Sequence, residues 1–184
     1  GFQGVRKIRP ELGESILVMG LGLLGQIAAQ TAALSGAFPL LALDYNPFRR
    51  ELALRHGVED AFSPDHPELE QVIRSRTGGR GVNGLVEVTG SPTAIQFALR
   101  VMAPLGRIAL VGCSRTPTES IDFYHGVHRP GIQILGAHNF VRPKQDSYPG
   151  YWTMREDMRI LMELIAAGRL NTQDLISGIV RPEG

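Results

Sequence analysis

Three closely spaced glycines are the first residues of this chain whose spacing indicates chemistry. They form the pattern Gly20-x-Gly22-x-x-Gly25. In such a pattern the first glycine permits a tight turn, the second lets a pyrophosphate approach the backbone, and the third lets a helix pack closely on a strand. A helix that begins here would direct its free N–H groups at the phosphates. The pattern alone is weak, so the flanking residues must support it.

A carboxylate further along the chain fits the same chemistry. Asp44 lies 19 residues after Gly25, at the end of a second apolar segment. A carboxylate at that position can accept hydrogen bonds from both hydroxyls of an adenosine ribose, and it repels a 2′-phosphate. We therefore predict a dinucleotide site, with NAD as the cofactor, in preference to a purely structural glycine turn.

The segment that carries the glycines has no charged residue from Ile16 to Leu43, a run long enough to cross a bilayer. Glycine and proline interrupt it too densely for a typical spanning helix. It divides instead into an apolar strand at 16–19, a helix at 23–34 and a second strand at 40–43. This order predicts half of a nucleotide-binding βαβ unit.

The rest of the chain continues the alternation of helices and strands. Helices are predicted at 47–56, 67–76 and from 92 onward, and strands at 60–63, 82–89, 107–111 and 132–135. The connection to the last strand contains proline and histidine and no clear helix. Six strands with helical crossovers predict an α/β fold with a doubly wound parallel sheet in the order 3-2-1-4-5-6. Its ligand crevice would lie where the glycine turn meets Thr89-Gly90-Ser91.

Glu87 and the C-terminal segment also allow structural predictions. Glu87 lies inside the fourth strand, where a buried charge needs hydrogen bonds. We therefore expect it to have a structural role, and a role beside the cofactor stays open. After an irregular loop at 141–151, Thr153-x-x-Glu156 is a capping box that begins a C-terminal helix. One face of that helix is apolar, and we expect its methionines Met158 and Met162 to lie in the core.

Composition excludes several classes of function. The chain is 43% hydrophobic and 20% charged with a net charge of +1, so neither nucleic acid nor a membrane is an expected partner. Cys113 is the single cysteine, and the five histidines (His56, His66, His125, His128 and His138) lack ligand spacing. We therefore expect no metal site, no catalytic residue in this chain and a reducing, cytoplasmic location.

Three other classes of nucleotide-dependent protein are alternatives to this assignment. A short-chain dehydrogenase requires Tyr-x-x-x-Lys, but the residues four positions after the tyrosines are Arg49, His128, Trp152 and Arg155. A non-catalytic NAD-sensing module stays open because it would have the same crevice. A methyltransferase that uses S-adenosylmethionine also stays open, although its sheet normally ends in an antiparallel strand.

Longer stretches resemble the coenzyme domain of medium-chain, zinc-dependent alcohol and polyol dehydrogenases, the relatives of sorbitol and threonine dehydrogenase. They include GESILVMGLGLLGQIAAQTAALSG, ALDYNPFRRELALRHGVEDAF and GVNGLVEVTGSPTAIQFALRVMAPLGRIALVG. The resemblance implies a Rossmann NAD-binding domain at 1–140. It implies that 141–184 holds a loop, a helix and the start of a segment returning to a missing GroES-like domain, where the zinc ligands lie. The chain then corresponds to an excised coenzyme domain, which we expect to be inactive alone.

The resemblance also implies roles for individual positions. Leu23 and Leu24 lie beside the pyrophosphate turn, and Arg49 lies where relatives often have a basic residue near the adenosine ribose. Thr89 and Gly90 match the edge after strand four. Val111 and Gly112 match the edge after strand five, near the nicotinamide. Strand six often pairs subunits in such enzymes, which implies a homo-oligomer such as a dimer, and the substrate would be an alcohol or polyol.

Overall fold

One parallel sheet with helices on both faces forms the body of the protein. The computed structural model describes residues 1–118 and 120–181. The strands are β1 (Ile16–Met19), β2 (Leu40–Leu43), β3 (Asp60–Phe62), β4 (Val82–Glu87), β5 (Met102–Leu110) and β6 (Gln133–Gly136). The α-helices are α1 (Phe2–Ile8), α2 (Leu23–Leu34), α3 (Pro47–Arg55), α4 (Leu69–Arg76), α5 (Pro92–Val101) and α6 (Met154–Ala166). The strand order β3-β2-β1-β4-β5-β6 confirms the predicted doubly wound Rossmann topology.

The charge-free run occupies the centre of this sheet. β1 pairs in parallel with β2 on one side and with β4 on the other. All four residues of β1 and of β2 are buried, as strands covered on both faces must be. Among the described residues, none of the helices combines the length and the apolar character that a bilayer crossing requires. The run therefore lacks charge because it builds the buried strands and the helix between them.

Side chains of β1 alternate between two core layers. Ile16 and Val18 pack with residues of α1, α2 and α3, while Leu17 and Met19 pack with residues of α4 and α5. Successive side chains of a strand point to opposite faces, which explains this division. On the first face, α2 presents buried alanines (Ala28, Ala29 and Ala32) to the sheet. Small side chains let the helix approach closely, so its first turn lies directly above the end of β1.

Four local features differ from the sequence prediction. β4 ends at Glu87, so Thr89 and Gly90 lie in the turn that follows it. β5 was predicted at 107–111 and instead covers Met102–Leu110. The connection to β6, expected to have no helix, contains a π-helix at Tyr124–His128. The short helix α1 was not predicted because it has only seven residues, two of which, Val5 and Ile8, supply its apolar contact with the sheet.

The expected core position of the α6 methionines is wrong. Met158 is 54% exposed and Met162 is 61% exposed. The helix instead buries Asp157, which accepts hydrogen bonds from Arg6 at 2.7 Å and Arg142 at 2.9 Å. Burial raises the pKa of Asp157, and the two guanidinium groups oppose that rise. Because a buried carboxylate must keep these partners, Asp157 points inward and the methionine stripe points outward.

The capping box that begins α6 is half formed. The Thr153 hydroxyl accepts a hydrogen bond from the backbone N–H of Glu156 at 3.2 Å, as predicted. The Glu156 carboxylate does not return to Thr153 but binds Arg159. The backbone N–H of Thr153 donates to the hydroxyl of Ser147 at 3.0 Å. The loop at 141–151 therefore supplies the second half of the cap.

Candidate functional site

The glycine turn joins the end of β1 to the first turn of α2, and its three glycines differ in their surroundings. Gly20 has a φ of +91°, a conformation that side chains rarely adopt. A Cβ on Gly25 would lie 1.8 Å from the carbonyl oxygen of Gly20, so helix and strand can meet only at a glycine. A Cβ on Gly22 would meet no atom within 4 Å. The space in front of Gly22 is therefore open to a ligand.

Gly22 is also the N-cap of α2, with φ −66° and ψ −171°. Among the residues that the structure describes, no side chain caps this helix, and its first turn carries no acidic residue. The first N–H groups of a helix have no partner within the helix and carry a partial positive charge. The turn is thus suited to an anionic group such as a pyrophosphate.

Asp44 follows β2 and reaches the same turn. One carboxylate oxygen accepts a hydrogen bond from the backbone N–H of Leu21 at 2.7 Å, and the other accepts from the N–H of Asn46 at 2.8 Å. Each ionised oxygen keeps a second acceptor position. Asp44 therefore holds the glycine turn against the end of β2 and can still accept hydrogen bonds from a sugar.

Two arginines lie near this carboxylate, and only one of them is held in place by hydrogen bonds to the main chain. The guanidinium of Arg50 donates to the backbone carbonyls of Asp44 at 2.7 Å and Tyr45 at 2.9 Å, which fixes it to the main chain. Arg49 is half exposed, with a nitrogen 3.7 Å from the Asp44 carboxylate. Arg49 is consequently the side chain that could move toward a phosphate at the ribose.

These groups share one cleft at the carboxyl ends of the strands. The cleft has a volume of about 780 Å³, within the range of ligand pockets. Seven of the predicted site residues line it: Gly20, Gly22, Leu23, Leu24, Asp44, Arg49 and Thr89. It lies over β1, β2 and β4, at the point where the strand order reverses, which is where open α/β sheets bind ligands.

Four predicted site residues lie outside the lining. Gly25 packs beneath the turn, and Val111 packs against the core beside α1. Gly90 and Gly112 face each other: a Cβ on Gly112 would lie 2.1 Å from the backbone nitrogen of Gly90. These two glycines allow the turns after β4 and β5 to come into contact.

The sequence analysis did not predict several of the lining residues. They include Tyr45, Asn46, Pro64, Leu69, Ala94 and Phe97. Asn46 had a readable signal, since an Asn before a proline predicts an N-cap, and its side chain accepts from the N–H of Phe48 at 2.9 Å. Pro64 and Phe97 had none, because they reach the cleft from separate helices and loops that only the folded sheet brings together.

The cysteine and the histidines are dispersed. Cys113 is exposed after β5. The ring of His125 bonds to Asp122 at 2.7 Å, and the ring of His56 bonds to Asp174 at 3.0 Å. Within residues 1–118 and 120–181 there is no group of three or more His, Cys, Asp or Glu side chains that could hold a metal ion.

Comparison with known proteins connects this geometry to a group of enzymes. The family model described as "Zinc-binding dehydrogenase" matches residues 24–166. The chain is 31% identical over 179 residues to the D-guloside 3-dehydrogenase of Escherichia coli, covering 97% of this chain and 51% of the relative. It is 34% identical over 127 residues to the L-threonine 3-dehydrogenase of Pyrococcus abyssi, covering 69% of this chain and 36% of the relative.

A solved structure shows the same fold. The alcohol dehydrogenase of Thermus sp. ATN1 superposes with a TM-score of 0.81 at 23% identity, covering 96% of this chain and 46% of that one. The chain thus spans about half the length of the D-guloside dehydrogenase, and less than half of the alcohol dehydrogenase, that it matches.

Proposed function

The chain belongs to the zinc-binding dehydrogenase family as its coenzyme-binding domain, and we propose that it binds NAD(H) for hydride transfer to or from an alcohol or polyol. One observation carries the proposal: the open glycine turn, the uncapped start of α2 and Asp44 all line a single cleft. Relatives named for D-guloside, L-threonine and alcohols support the substrate class.

The residues present fit the parts of the dinucleotide. The N–H groups at the start of α2 would hold the pyrophosphate, and the acceptors of Asp44 would hold the adenosine ribose. Leu23 and Leu24 are exposed beside the turn and offer apolar contact. NAD(H) supplies the hydride acceptor or donor, while the chain orients the cofactor and fixes its electrostatic surroundings.

Zinc enters the proposal only through the part of the relatives that this chain does not match. A zinc ion in such an enzyme stabilises the alkoxide from which hydride leaves. We propose that its ligands belong to a separate domain, that residues 1–140 form the NAD-binding domain and that 141–184 lead back toward the other. The β6 edge, where Ile134 is exposed, is the surface proposed for pairing two subunits. The cytoplasmic location stays a prediction.

A methyltransferase is the less favoured alternative. All the strand pairs described, including β5 with β6, are parallel. Titration with NADH and with S-adenosylmethionine distinguishes the two, because only NADH is expected to bind. A non-catalytic NAD-sensing module would bind NADH equally well, so turnover of the whole protein separates that alternative.

We predict that NADH binds more tightly than NADPH by roughly tenfold or more, because the Asp44 carboxylate repels a 2′-phosphate. Asp44→Asn should remove most of this preference, since it removes the charge but keeps an acceptor for the N–H of Leu21. Asp44→Ala also loses that hydrogen bond and should weaken both cofactors. Fluorescence titration of the three proteins measures the effect. Equal affinities in the unaltered chain would contradict the ribose assignment.

We predict that the 184-residue chain neither holds stoichiometric zinc nor oxidises alcohols by itself. A catalytic zinc site needs three protein ligands and an open position, and the described histidines and Cys113 do not cluster. Metal content by mass spectrometry and NAD reduction over a panel of alcohols and polyols measure both properties. One tightly bound zinc per chain, or robust turnover, would contradict the prediction. Turnover that appears only when the chain is joined to the zinc-binding domain of a relative would support it.

A further inference from the structure

Glu87 is a fully buried carboxylate at the end of β4, and neutral donors of the next turn surround it. Its side chain has 0% exposure. One oxygen accepts hydrogen bonds from the backbone N–H of Thr89 at 2.7 Å and from the Thr89 hydroxyl. The N–H of Gly90 lies 3.1 Å from both oxygens. A buried charge is costly unless it is hydrogen-bonded, so this turn and this carboxylate require each other.

The carboxylate occupies an anion-binding position. Successive backbone N–H groups in a turn form a concavity that attracts phosphate or carboxylate. Here the N–H groups of Thr89 and Gly90 are already bonded to Glu87. The turn after β4 therefore offers no such site to a ligand, which leaves the glycine turn after β1 to receive the phosphates.

The same contacts fix the role of the Thr89 hydroxyl. A carboxylate is only an acceptor, so the hydroxyl proton points to Glu87. One lone pair of the hydroxyl oxygen accepts the N–H of Ser91 at 3.0 Å. One acceptor position is left, and Thr89 lines the cleft. Thr89 can thus accept a hydrogen bond from a ligand but cannot donate one.

The turn after β5 packs against the turn after β4 and restrains it. The backbone carbonyl of Glu87 accepts from the N–H groups of Val111 at 2.8 Å and Gly112 at 2.9 Å. A Cβ on Gly112 would lie 2.7 Å from the second carboxylate oxygen. The orientation of the Thr89 hydroxyl is therefore set before any ligand arrives, which is how supporting residues sharpen a binding site.

We propose that Glu87 is a positioning residue, which holds the Thr89 hydroxyl as an acceptor for a hydroxyl of the second ribose of NAD(H). The inference rests on the proposed function. The sheet order β2-β1-β4 supports it. A dinucleotide whose adenosine ribose lies at Asp44 and whose phosphates lie over β1 carries its second ribose toward β4. ADP has no second ribose and ends before Thr89.

The test compares the affinities of NADH and ADP in four proteins: the unaltered chain, Glu87→Gln, Thr89→Val and the double variant. Glu87→Gln keeps the size of the side chain but replaces one acceptor oxygen by an NH₂ donor. That donor would face the hydrogen-bond donors of Thr89 and Gly90. We expect Glu87→Gln and Thr89→Val each to weaken NADH about threefold to tenfold and ADP less than about twofold. The double variant should be no weaker than Thr89→Val alone, because both changes remove one interaction.

Controls separate this role from general destabilisation. The matched change Glu68→Gln, at an exposed carboxylate before α4, should leave both affinities unchanged. Equal losses for NADH and ADP, or losses that multiply in the double variant, would overturn the positioning role. If Glu87→Gln does not fold, Thr89→Val still decides, because unchanged NADH binding in that variant refutes the contact. An unaltered chain that binds neither compound would refute the proposed function itself, and this inference with it.

Discussion

The Gly22→Val variant is expected to lose NADH affinity at least about 100-fold while it keeps its fold. Gly22 stands in front of the first N–H groups of α2, and its missing side chain leaves open the space that a pyrophosphate needs. A valine there would fill that space and separate the phosphates from the helix start. Loss of the hydrogen bonds and of the favourable helix charge accounts for the size of the effect.

The fold should survive because the backbone of Gly22 is ordinary. Its φ of −66° and ψ of −171° suit any residue, so the strain expected at this turn belongs to Gly20 instead. Valine is a poor N-cap, which costs about 1 kcal/mol, a small part of a typical folding free energy. Gly178→Val is the matched control, since a Cβ there also meets no atom within 4 Å.

Circular dichroism and thermal unfolding establish that Gly22→Val is folded, and fluorescence titration with NADH measures its affinity. A folded variant that binds NADH within about threefold of the unaltered chain would show that the cofactor does not cross this turn. Gly178→Val should bind NADH normally when it is measured at the same time. That result would show that an added valine side chain does not by itself weaken NADH binding.

Gly25→Ala adds one methyl group three residues further on, and we expect it to destabilise the fold more than Gly22→Val does. Its Cβ would lie 1.8 Å from the carbonyl oxygen of Gly20 and 2.8 Å from its carbonyl carbon. Both atoms belong to the backbone, so α2 must move away from β1. Overpacking in a core costs about 1–3 kcal/mol, and a contact this short with main chain should reach about 3 kcal/mol or more.

Helix propensity alone predicts that Gly25→Ala increases the free energy of unfolding, whereas the contact with Gly20 predicts a decrease. The experiment therefore distinguishes the two effects. Replacing a glycine inside a helix by alanine normally stabilises by about 1 kcal/mol. Urea unfolding of Gly25→Ala beside the control Gly178→Ala measures the net effect. A Gly25→Ala protein as stable as the unaltered chain would mean that α2 and β1 are further apart than this structure has them. NADH binding by the folded protein should fall as well, because the displaced first turn of α2 carries the N–H groups proposed to hold the pyrophosphate.

The local sequence pattern was sufficient to predict most of the helices and strands. The bounds of α2 and β2 were readable because glycines, a proline and apolar runs mark each of their ends. Two elements were not readable. The π-helix at Tyr124–His128 has no repeat that distinguishes it from a loop, and α1 is too short for a periodic signal. Both elements are stabilised by packing against neighbouring elements, so the sequence of the segment itself does not predict them.

α6 shows where pattern reading fails for a physical reason. Its sequence has an apolar face around Met154, Met158 and Met162, and that face predicted the core side. The buried face is instead decided by Asp157, which binds Arg6 of α1 and Arg142 of the preceding loop. These partners lie 151 and 15 residues away along the chain, so no local window contains the interaction.

The sequence by itself determined the glycine turn, the acidic residue after the second strand and the order of elements. These depend on short-range constraints: a φ that only glycine adopts, a strand without charge and the spacing of apolar residues. Tertiary structure alone decided which residues meet. It brought Pro64 and Phe97 into the cleft with Gly22 and Asp44, and it closed the turn after β4 on Glu87. Contacts between distant segments depend on the packing of the whole sheet, because a side chain finds its partner only after the strands between them have been placed in register.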